Sequence, residues 1–343
     1  MFKNEFTKEN ILKIFQNTKG RIILIALAAS LAFPIFVSDT YIIRIVTLIA
    51  IFTIYASSWN LLASSGQGSL GHAAFLGIGG FSSSLLAINL GIPPIIGIFI
   101  GAVFSAVVGF LIGVTCVRLQ AWFLAMVTFG FSVIAETLFS QFDDYTHAVL
   151  GFRTPFLVGS GLPFYYFAVV ISAITVAVIY LIMKSKMGLA FRAIHQNAAE
   201  AGMIGINTAK YKLYAFVLST FFAGLAGAIY THFLRYISVS VFAADNSFQP
   251  LMMSVIGGLG TIEGPIIGSV IMVFIDTLLP NIDGALQFAL SPLFPAVSNV
   301  GPPVRLLGLG IFLVIIVVFL PKGVTSLLHK MYRYLRKELF RSD

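Results

Sequence analysis

The sequence predicts an all-α polytopic membrane protein with about nine transmembrane helices and one re-entrant half-helix. Hydrophobic residues make up 58% of the 343-residue chain and charged residues only 10%, which is too little charge to cover the surface of a soluble protein. The apolar residues also form long runs, and a helix needs about 20 of them to cross a bilayer. The clearest runs are residues 21–37, 41–63, 92–117, 164–183 and 305–320.

Lysine and arginine are concentrated in residues 1–20, 184–212 and 322–343. Cytoplasmic loops are enriched in both residue types, so we expect these three segments inside and the weakly charged loops near 150, 240 and 290 outside. The net charge of +8 is then explained by topology and by contact with anionic lipid in the bilayer, without a nucleic-acid partner. The chain divides into a cytoplasmic N-terminal segment (1–20), a transmembrane domain (21–321, with a loop at 184–212) and a basic cytoplasmic tail (322–343).

The re-entrant half-helix follows from counting crossings. With the N-terminus in the cytoplasm, six crossings bring the chain back to the cytoplasmic side at residue 183, and a seventh, about residues 213–236, takes it outside. Both flanks of the next apolar segment, 249–279, are also predicted to be outside, so a single crossing there is not possible. The break "GGLGTIEGP" (257–265) leaves about nine apolar residues before it, which is about half a span at 1.5 Å per residue. We therefore expect a half-helix, a glycine turn and a full helix back out, with the turn buried in protein or lining a wet cavity.

A second glycine break, "GQGSLG" (66–71), satisfies the G-x-G-x-x-G pattern of dinucleotide-binding proteins. It follows a predicted transmembrane helix instead of a strand. No acidic residue occurs between His72 and Arg118 to bind ribose hydroxyls. Both confirming features of the dinucleotide motif are absent, so the glycines are predicted to serve close helix packing or to break a helix beside a pathway.

The two breaks supply most of the residues that we expect along a translocation pathway. His72 could instead be a packed, hydrogen-bonded residue. Glu136, near the end of a predicted span, is either a functional intramembrane carboxylate or an interfacial group. The full candidate set is Gly66, Gln67, Gly68, Ser69, His72, Glu136, Gly257, Gly258, Gly260 and Gly264.

A stripe of small residues recurs at every fourth position of the span 92–117. Such a stripe lies on one face of a helix and lets another helix approach closely. Tight helix packing is the predicted role of its members, Gly97, Gly101, Ser105, Gly109 and Gly113.

The basic loop 184–212 is predicted to be partly helical. Asn197 and Glu200 have the spacing of a capping box, and Gly205 can end the helix that they begin. A short amphipathic helix between two spans either fits a groove on a partner protein or lies on the bilayer.

Several classes of function lack their sequence signatures. The chain contains no GxxxxGK[ST] sequence, no His, Cys, Asp or Glu cluster with metal-ligand spacing, and no local nucleophile–base pair. The single cysteine, Cys116, cannot form an internal disulfide. We therefore expect no enzyme, no metal site and no cofactor in this chain, and any use of ATP would require a separate ATPase subunit.

Three stretches together resemble the permeases of branched-chain amino acid ABC importers, the LivM-like family. They are "SGQGSLGHAAFLGIGGF" (65–81), "GLAFRAIHQNAAEAGMIGINTAKYKLYAFVLSTFFAGLAGAIY" (188–230) and "SVIGGLGTIEGPIIGS" (254–269), and their order and spacing also match over residues 41–320.

The resemblance implies an ABC importer permease fold in the bacterial inner (plasma) membrane and import of leucine, isoleucine or valine delivered by an extracytoplasmic binding protein. It implies a heterodimer with a second homologous permease and two cytoplasmic ATPase subunits that bind ATP and Mg. It also implies that the loop around Glu200 is the ATPase-coupling segment, with Arg192, Asn197, Glu200, Ala201 and Gly205 as its residues.

Two alternatives for the function remain open. Relatives usually carry a Thr-Gly-Gly stretch where this chain has "DDYTHAVLGFRTPFL" (143–157), and urea and short-amide importers share the same permease fold. An ion-coupled secondary transporter is the more remote alternative. It would require a midplane carboxylate, for which Glu136 is the candidate.

Overall fold

A computed structural model of the chain describes residues 30–37, 39–159 and 161–290, followed by 310, 314, 318–320, 323–327 and 330–331, without the side chains of 278–290. The predicted N-terminal segment and most of the first span, the last span and the basic tail lie outside the described residues. The elements are α1 (Thr40–Ala63), α2 (His72–Asn89), α3 (Pro94–Cys116), α4 (Ala121–Gln141), α5 (Asp143–Thr146), β1 (Phe152–Arg153), α6 (Leu162–Lys184), α7 (Lys186–Gln196), α8 (Ala198–Met203), α9 (Thr208–Leu234), β2 (Tyr236–Ile237), a 3-10 turn (Val239–Phe242), α10 (Ala244–Gly257) and α11 (Glu263–Leu290).

Five of the described helices, α1, α3, α4, α6 and α9, are long and apolar enough to cross a membrane. Helix α2, which is rich in glycine and serine, is not among them. The prediction of an all-α polytopic membrane protein is confirmed. A two-residue antiparallel ladder, in which Phe152 pairs with Ile237 and Arg153 with Tyr236, was not predicted, because two residues are too few to show a strand periodicity.

The helix boundaries lie close to those expected from the apolar runs, with two differences. Helix α9 begins five residues before the predicted span 213–236, because the Asn207 side chain caps it by accepting a 3.0 Å hydrogen bond from Lys210 N–H. Helix α11 continues to Leu290, beyond the predicted end at residue 279. The end of an apolar run marks where hydrocarbon ends, and a helix whose hydrogen bonds are internal can continue past that point.

The core is built by close approach of α2, α3 and α9. A Cβ atom on Gly79 would lie only 2.2 Å from the carbonyl oxygen of Gly224, so both backbones meet without an intervening side chain. The stripe on α3 is buried along its whole length, and its Ser105 hydroxyl donates to the carbonyls of Phe75 (3.1 Å) and Thr220 (2.9 Å). The predicted packing role of the stripe is therefore confirmed. The opposite face of α3 is exposed and strongly apolar, as a lipid-facing surface would be.

Candidate functional site

The first glycine break, residues 64–71, is a packed turn between α1 and α2. Gly66 has φ +73°, and Trp59 Nε1 donates a 2.8 Å hydrogen bond to the carbonyl of Ser69. On its other side the turn meets α4, where Leu70 N–H donates to Thr128 Oγ1 at 3.2 Å. A Cβ atom on Gly71 would lie 1.7 Å from the Thr128 carbonyl oxygen. These glycines let the turn fit between α1 and α4.

His72 begins α2 and is fully buried. Its Nε2 lies 2.9 Å from Ser58 Oγ, and its ring packs between Tyr55 and Phe75, with centroid distances of 5.5 and 6.2 Å. Within the described part of the chain, His72 Nδ1 and the Ser69 hydroxyl have no hydrogen-bond partner. The geometry favours the packed histidine of the two alternatives that the sequence left open.

The second glycine break, residues 258–262, separates α10 from α11 inside the predicted stretch 257–265. Gly258 (φ +128°) and Gly260 (φ +71°) adopt backbone conformations that favour glycine. Thr261 forms hydrogen bonds within the turn: its Oγ1 donates to the Gly258 carbonyl at 2.8 Å and accepts from Gly264 N–H at 3.0 Å. The break is therefore a defined turn with its own hydrogen bonds.

Asn60, which the sequence analysis did not single out, bonds the main chain of this turn. Its Nδ2 donates to the Thr261 carbonyl at 2.7 Å, and its Oδ1 accepts from Gly260 N–H at 2.9 Å. The side chain is only 7% exposed. A signal was present in the sequence, because an asparagine within an apolar span is costly unless a partner satisfies its amide.

Helix α7 contacts the first break. Gly188, Ala190, Phe191 and Ile194 form its buried face, and Arg192 is exposed. A Cβ atom on Gly66 would lie 3.2 Å from the Cα atom of His195, so the turn and the end of α7 are in direct contact. The structure thus brings the first break and the basic loop together.

Helix α8 has the caps that the sequence predicts. Asn197 Oδ1 accepts from the N–H groups of Ala199 (3.0 Å) and Glu200 (3.3 Å), and Gly205 follows the helix with φ +85°. The Glu200 carboxylate accepts from Asn197 Nδ2 at 2.6 Å instead of from the Asn197 main chain. Ala201 is buried and anchors the helix to the rest of the chain, whereas Glu200 is exposed.

Two apolar side chains at the end of α8 were not predicted as part of the site. Met203 is 85% exposed and Ile204 is 75% exposed, and they lie beside the exposed Gly205. The hydrophobic pattern of so short a helix does not show which of its apolar residues are buried.

Glu136 lies apart from both breaks. It is half-buried on α4, about 12 Å along the helix from Thr128, the residue that bonds the first break. Its main-chain carbonyl accepts from Ser140 Oγ at 2.8 Å, and its carboxylate forms no hydrogen bond or ion pair with any described residue. A cavity of about 360 Å³ also lies away from the breaks, at the far end of α9 among Arg153, Leu234, Arg235 and Tyr236.

Comparison with known proteins identifies the family. The family model described as "Branched-chain amino acid transport system / permease component" matches residues 41–320. The chain is 26% identical over 287 residues to the high-affinity branched-chain amino acid transport system permease protein LivM of Escherichia coli, covering 74% of this chain and 67% of the relative. LivM of Salmonella typhimurium matches over the same length with the same identity.

A ribose import permease protein, RbsC of Haemophilus influenzae, is 24% identical over 300 residues, covering 82% of this chain and 91% of the relative. No solved structure matches the chain significantly. Because the family model spans residues 41–320, the greater part of the sequence, the chain belongs to the family of permease components of branched-chain amino acid transport systems, as a LivM-like permease.

Proposed function

We propose that this chain is the membrane-spanning permease subunit of an ATP-driven importer and that it translocates leucine, isoleucine and valine. The observation that carries this proposal is the family match over residues 41–320, which includes both glycine breaks and the loop between α6 and α9. The chain itself hydrolyses nothing in this scheme, since ATP and Mg would be bound by separate ATPase subunits. An extracytoplasmic binding protein would deliver the solute to this permease, which would lie in the bacterial inner membrane.

The substrate is the finer part of the proposal. Two LivM relatives favour branched-chain amino acids, and the ribose permease is similarly distant at 24% identity. Urea and short amides are a further alternative, because the stretch 143–157 departs from the usual pattern. That stretch is bonded to β2, just after α9, since the Tyr236 hydroxyl donates a 2.6 Å hydrogen bond to the Leu150 carbonyl. Among the described residues, no hydrogen bond joins this stretch to either glycine break.

We also propose the topology of about nine crossings and one half-helix, with both termini cytoplasmic. Helix α10 has 14 residues and is about 21 Å long, shorter than the roughly 30 Å of hydrocarbon. Helix α11 returns along α1, since Ser269 and Thr53 hydroxyls lie 2.7 Å apart and Thr261 bonds Asn60. This geometry supports a half-helix in α10. The division of the chain into a cytoplasmic N-terminal segment (1–20), a transmembrane domain (21–321) and a cytoplasmic tail (322–343) is part of the same proposal.

Helices α7 and α8 form the proposed ATPase-coupling segment. In this role Arg192 and Glu200 are exposed charges for contact with the ATPase, and Asn197 and Gly205 set the two ends of α8. Buried Ala201 transmits force because it packs α8 against the rest of the chain. A second homologous permease and two ATPases would complete the transporter.

The proposed pathway runs along the two breaks. Its residues are the candidates of the first break (Gly66, Gln67, Gly68 and Ser69) and of the second (Gly257, Gly258, Gly260 and Gly264), with Glu136 as a separate candidate nearer the other end of α4. His72 belongs to the same candidate set, but its contacts favour a packing role. In the structure most of these residues are buried, so a path along them requires a state in which the breaks separate.

The test is uptake of labelled leucine by cells with and without the gene, with the plasmid-borne chain restoring it. We expect uptake to disappear on deletion and to be competed by unlabelled isoleucine and valine, but not by ribose or urea. Loss of ribose or urea uptake instead would overturn the substrate. Leucine uptake that persists in ATP-depleted cells with an intact ion gradient would favour the secondary transporter and contradict the ATP-driven mechanism.

A further inference from the structure

Three consecutive residues near the end of α1 bond both glycine breaks. Ser58 Oγ lies 2.9 Å from Nε2 of His72, the first residue of α2, and Trp59 Nε1 donates to the Ser69 carbonyl at 2.8 Å. These two residues therefore bond the first break and the helix start that follows it. Asn60 holds the second break through Thr261 and Gly260. The end of α1 is therefore a junction at which two turns, about 190 residues apart in sequence, share one support.

The amide of Asn60 satisfies two main-chain groups of a turn that is otherwise held by its own Thr261 hydrogen bonds and by the close approach of Gly323 to Gly258. A Cβ atom on Gly260 would meet nothing within 4 Å, and Leu259 beside it is exposed. Asn60 is nearly fully buried, and leaving a buried amide without hydrogen-bond partners is strongly unfavourable. The turn and the side chain therefore stabilise each other, and separating them is unfavourable.

The first break, which follows the end of α1, also contacts the ends of α6 and α7. Ser64 Oγ donates to Met183 Sδ at 3.4 Å, just before α6 ends, and Gly66 lies against His195 at the end of α7. Ser58 also bonds α9, since its main-chain carbonyl accepts a 2.7 Å hydrogen bond from Ser219 Oγ. A displacement of α7 thus reaches the first break by direct contact and the end of α1 through it.

We propose that Asn60 is a positioning residue that makes the second glycine break move together with the first. Motion of α7 is passed to the first break at Gly66, to the end of α1, and through the Asn60 amide to Gly260 and Thr261. This inference rests on the proposed function, in which an ATPase drives α7. Without the amide, the second break no longer follows α7 and ATP hydrolysis becomes uncoupled from transport.

The experiment uses the complete transporter, with its second permease, ATPases and binding protein, in proteoliposomes. Asn60→Leu keeps the side-chain size and removes both hydrogen bonds to the turn. The matched control is Thr53→Val, which removes the hydroxyl that bonds Ser269, on the same pair of helices but away from the break. Labelled solute uptake and phosphate release are measured on the same preparations, after assembly is checked by size-exclusion chromatography.

We expect N60L to hydrolyse ATP at the wild-type rate while uptake per ATP falls about tenfold, and T53V to keep uptake per ATP within about twofold. N60L with wild-type uptake per ATP overturns the inference, and so does an equal loss in T53V. If N60L does not assemble, Asn60→Ser makes the same prediction, because its short neutral side chain cannot reach both groups. A wild-type complex without ATP-driven uptake would contradict the proposed function itself, which separates the two failures.

Discussion

The Oδ1 atom of Asn60 accepts a 2.9 Å hydrogen bond from the main-chain N–H of Gly260, a residue 200 positions further along the chain. The same amide donates to the carbonyl of the next residue, Thr261, at 2.7 Å. A single side chain in a transmembrane helix thereby bonds two main-chain groups of a distant glycine turn. The proposed coupling between α7 and the two breaks depends on this contact. Four further predictions concern helix packing, His72 and the coupling segment.

Close approach of α2 and α9 predicts a large difference between two glycine-to-alanine changes. In Gly79→Ala the new methyl group would overlap the Gly224 carbonyl, whereas Gly130→Ala on α4 meets nothing within 4 Å. Overpacking of this kind costs about 1–3 kcal/mol, so we expect G79A to unfold at a clearly lower temperature than wild type. G130A should unfold at the wild-type temperature or slightly above it. Thermal unfolding in detergent, followed by size-exclusion chromatography, measures both, and equal values for the two variants would contradict the packing argument.

His72 is predicted to act mainly through packing. His72→Ala removes the partner of Ser58 Oγ and leaves a cavity beside Tyr55 and Phe75. We therefore expect the free energy of unfolding to fall by about 2 kcal/mol or more, and the unfolding temperature to fall with it. Ser58→Ala should cost less. Because the two side chains share one hydrogen bond, the double variant should cost less than the sum of the single ones. Normal stability together with lost uptake in H72A would instead place His72 in the pathway.

The exposed pair at the end of α8 is predicted to contact the ATPase. Replacing Met203 and Ile204 by serine buries nothing new and opens no cavity, so the unfolding temperature should stay unchanged. Copurification of the ATPase should fall at least tenfold, because two apolar side chains buried at an interface contribute a few kcal/mol and each ~1.4 kcal/mol is about tenfold in affinity. The control replaces the exposed pair Val149 and Leu150, in the loop after α5, by serine. If the control loses the ATPase equally, or M203S/I204S retains it, the assignment is wrong.

Charge reversal tests the coupling segment by a different interaction. Glu200→Lys combined with Arg192→Glu reverses two exposed charges while leaving the net charge of the segment the same. We expect weaker ATPase association and lower uptake, with the loss of association more pronounced at low ionic strength, where unscreened charges interact most strongly. Asp144→Lys, in the short helix α5 at the far end of α4, is the control and should leave association unchanged. Normal association and uptake in the double variant would exclude this segment as the coupling site.

Much of the fold could be predicted because it depends on local composition. The spans of α1, α3 and α6 are apolar runs, the breaks near Gly66 and Gly260 are glycine clusters, and the caps of α8 are an Asn–Glu spacing followed by glycine. Each of these features is decided within a window of a few to about 20 residues. The length of α11 and the β1–β2 pair could not be found in this way, because neither is set by the apolar pattern.

The sequence by itself determined the class of the protein, the positions of both helix breaks and the family, since hydrophobic length and glycine placement are written residue by residue. Only the tertiary structure decided that Ser58, Trp59 and Asn60 hold the two breaks, that His72 is enclosed, and that Met203 and Ile204 face outward. The physical reason is that a buried polar group must find a partner wherever the fold supplies one. For Asn60 that partner is the main chain of a glycine turn 200 residues away, which no local pattern specifies.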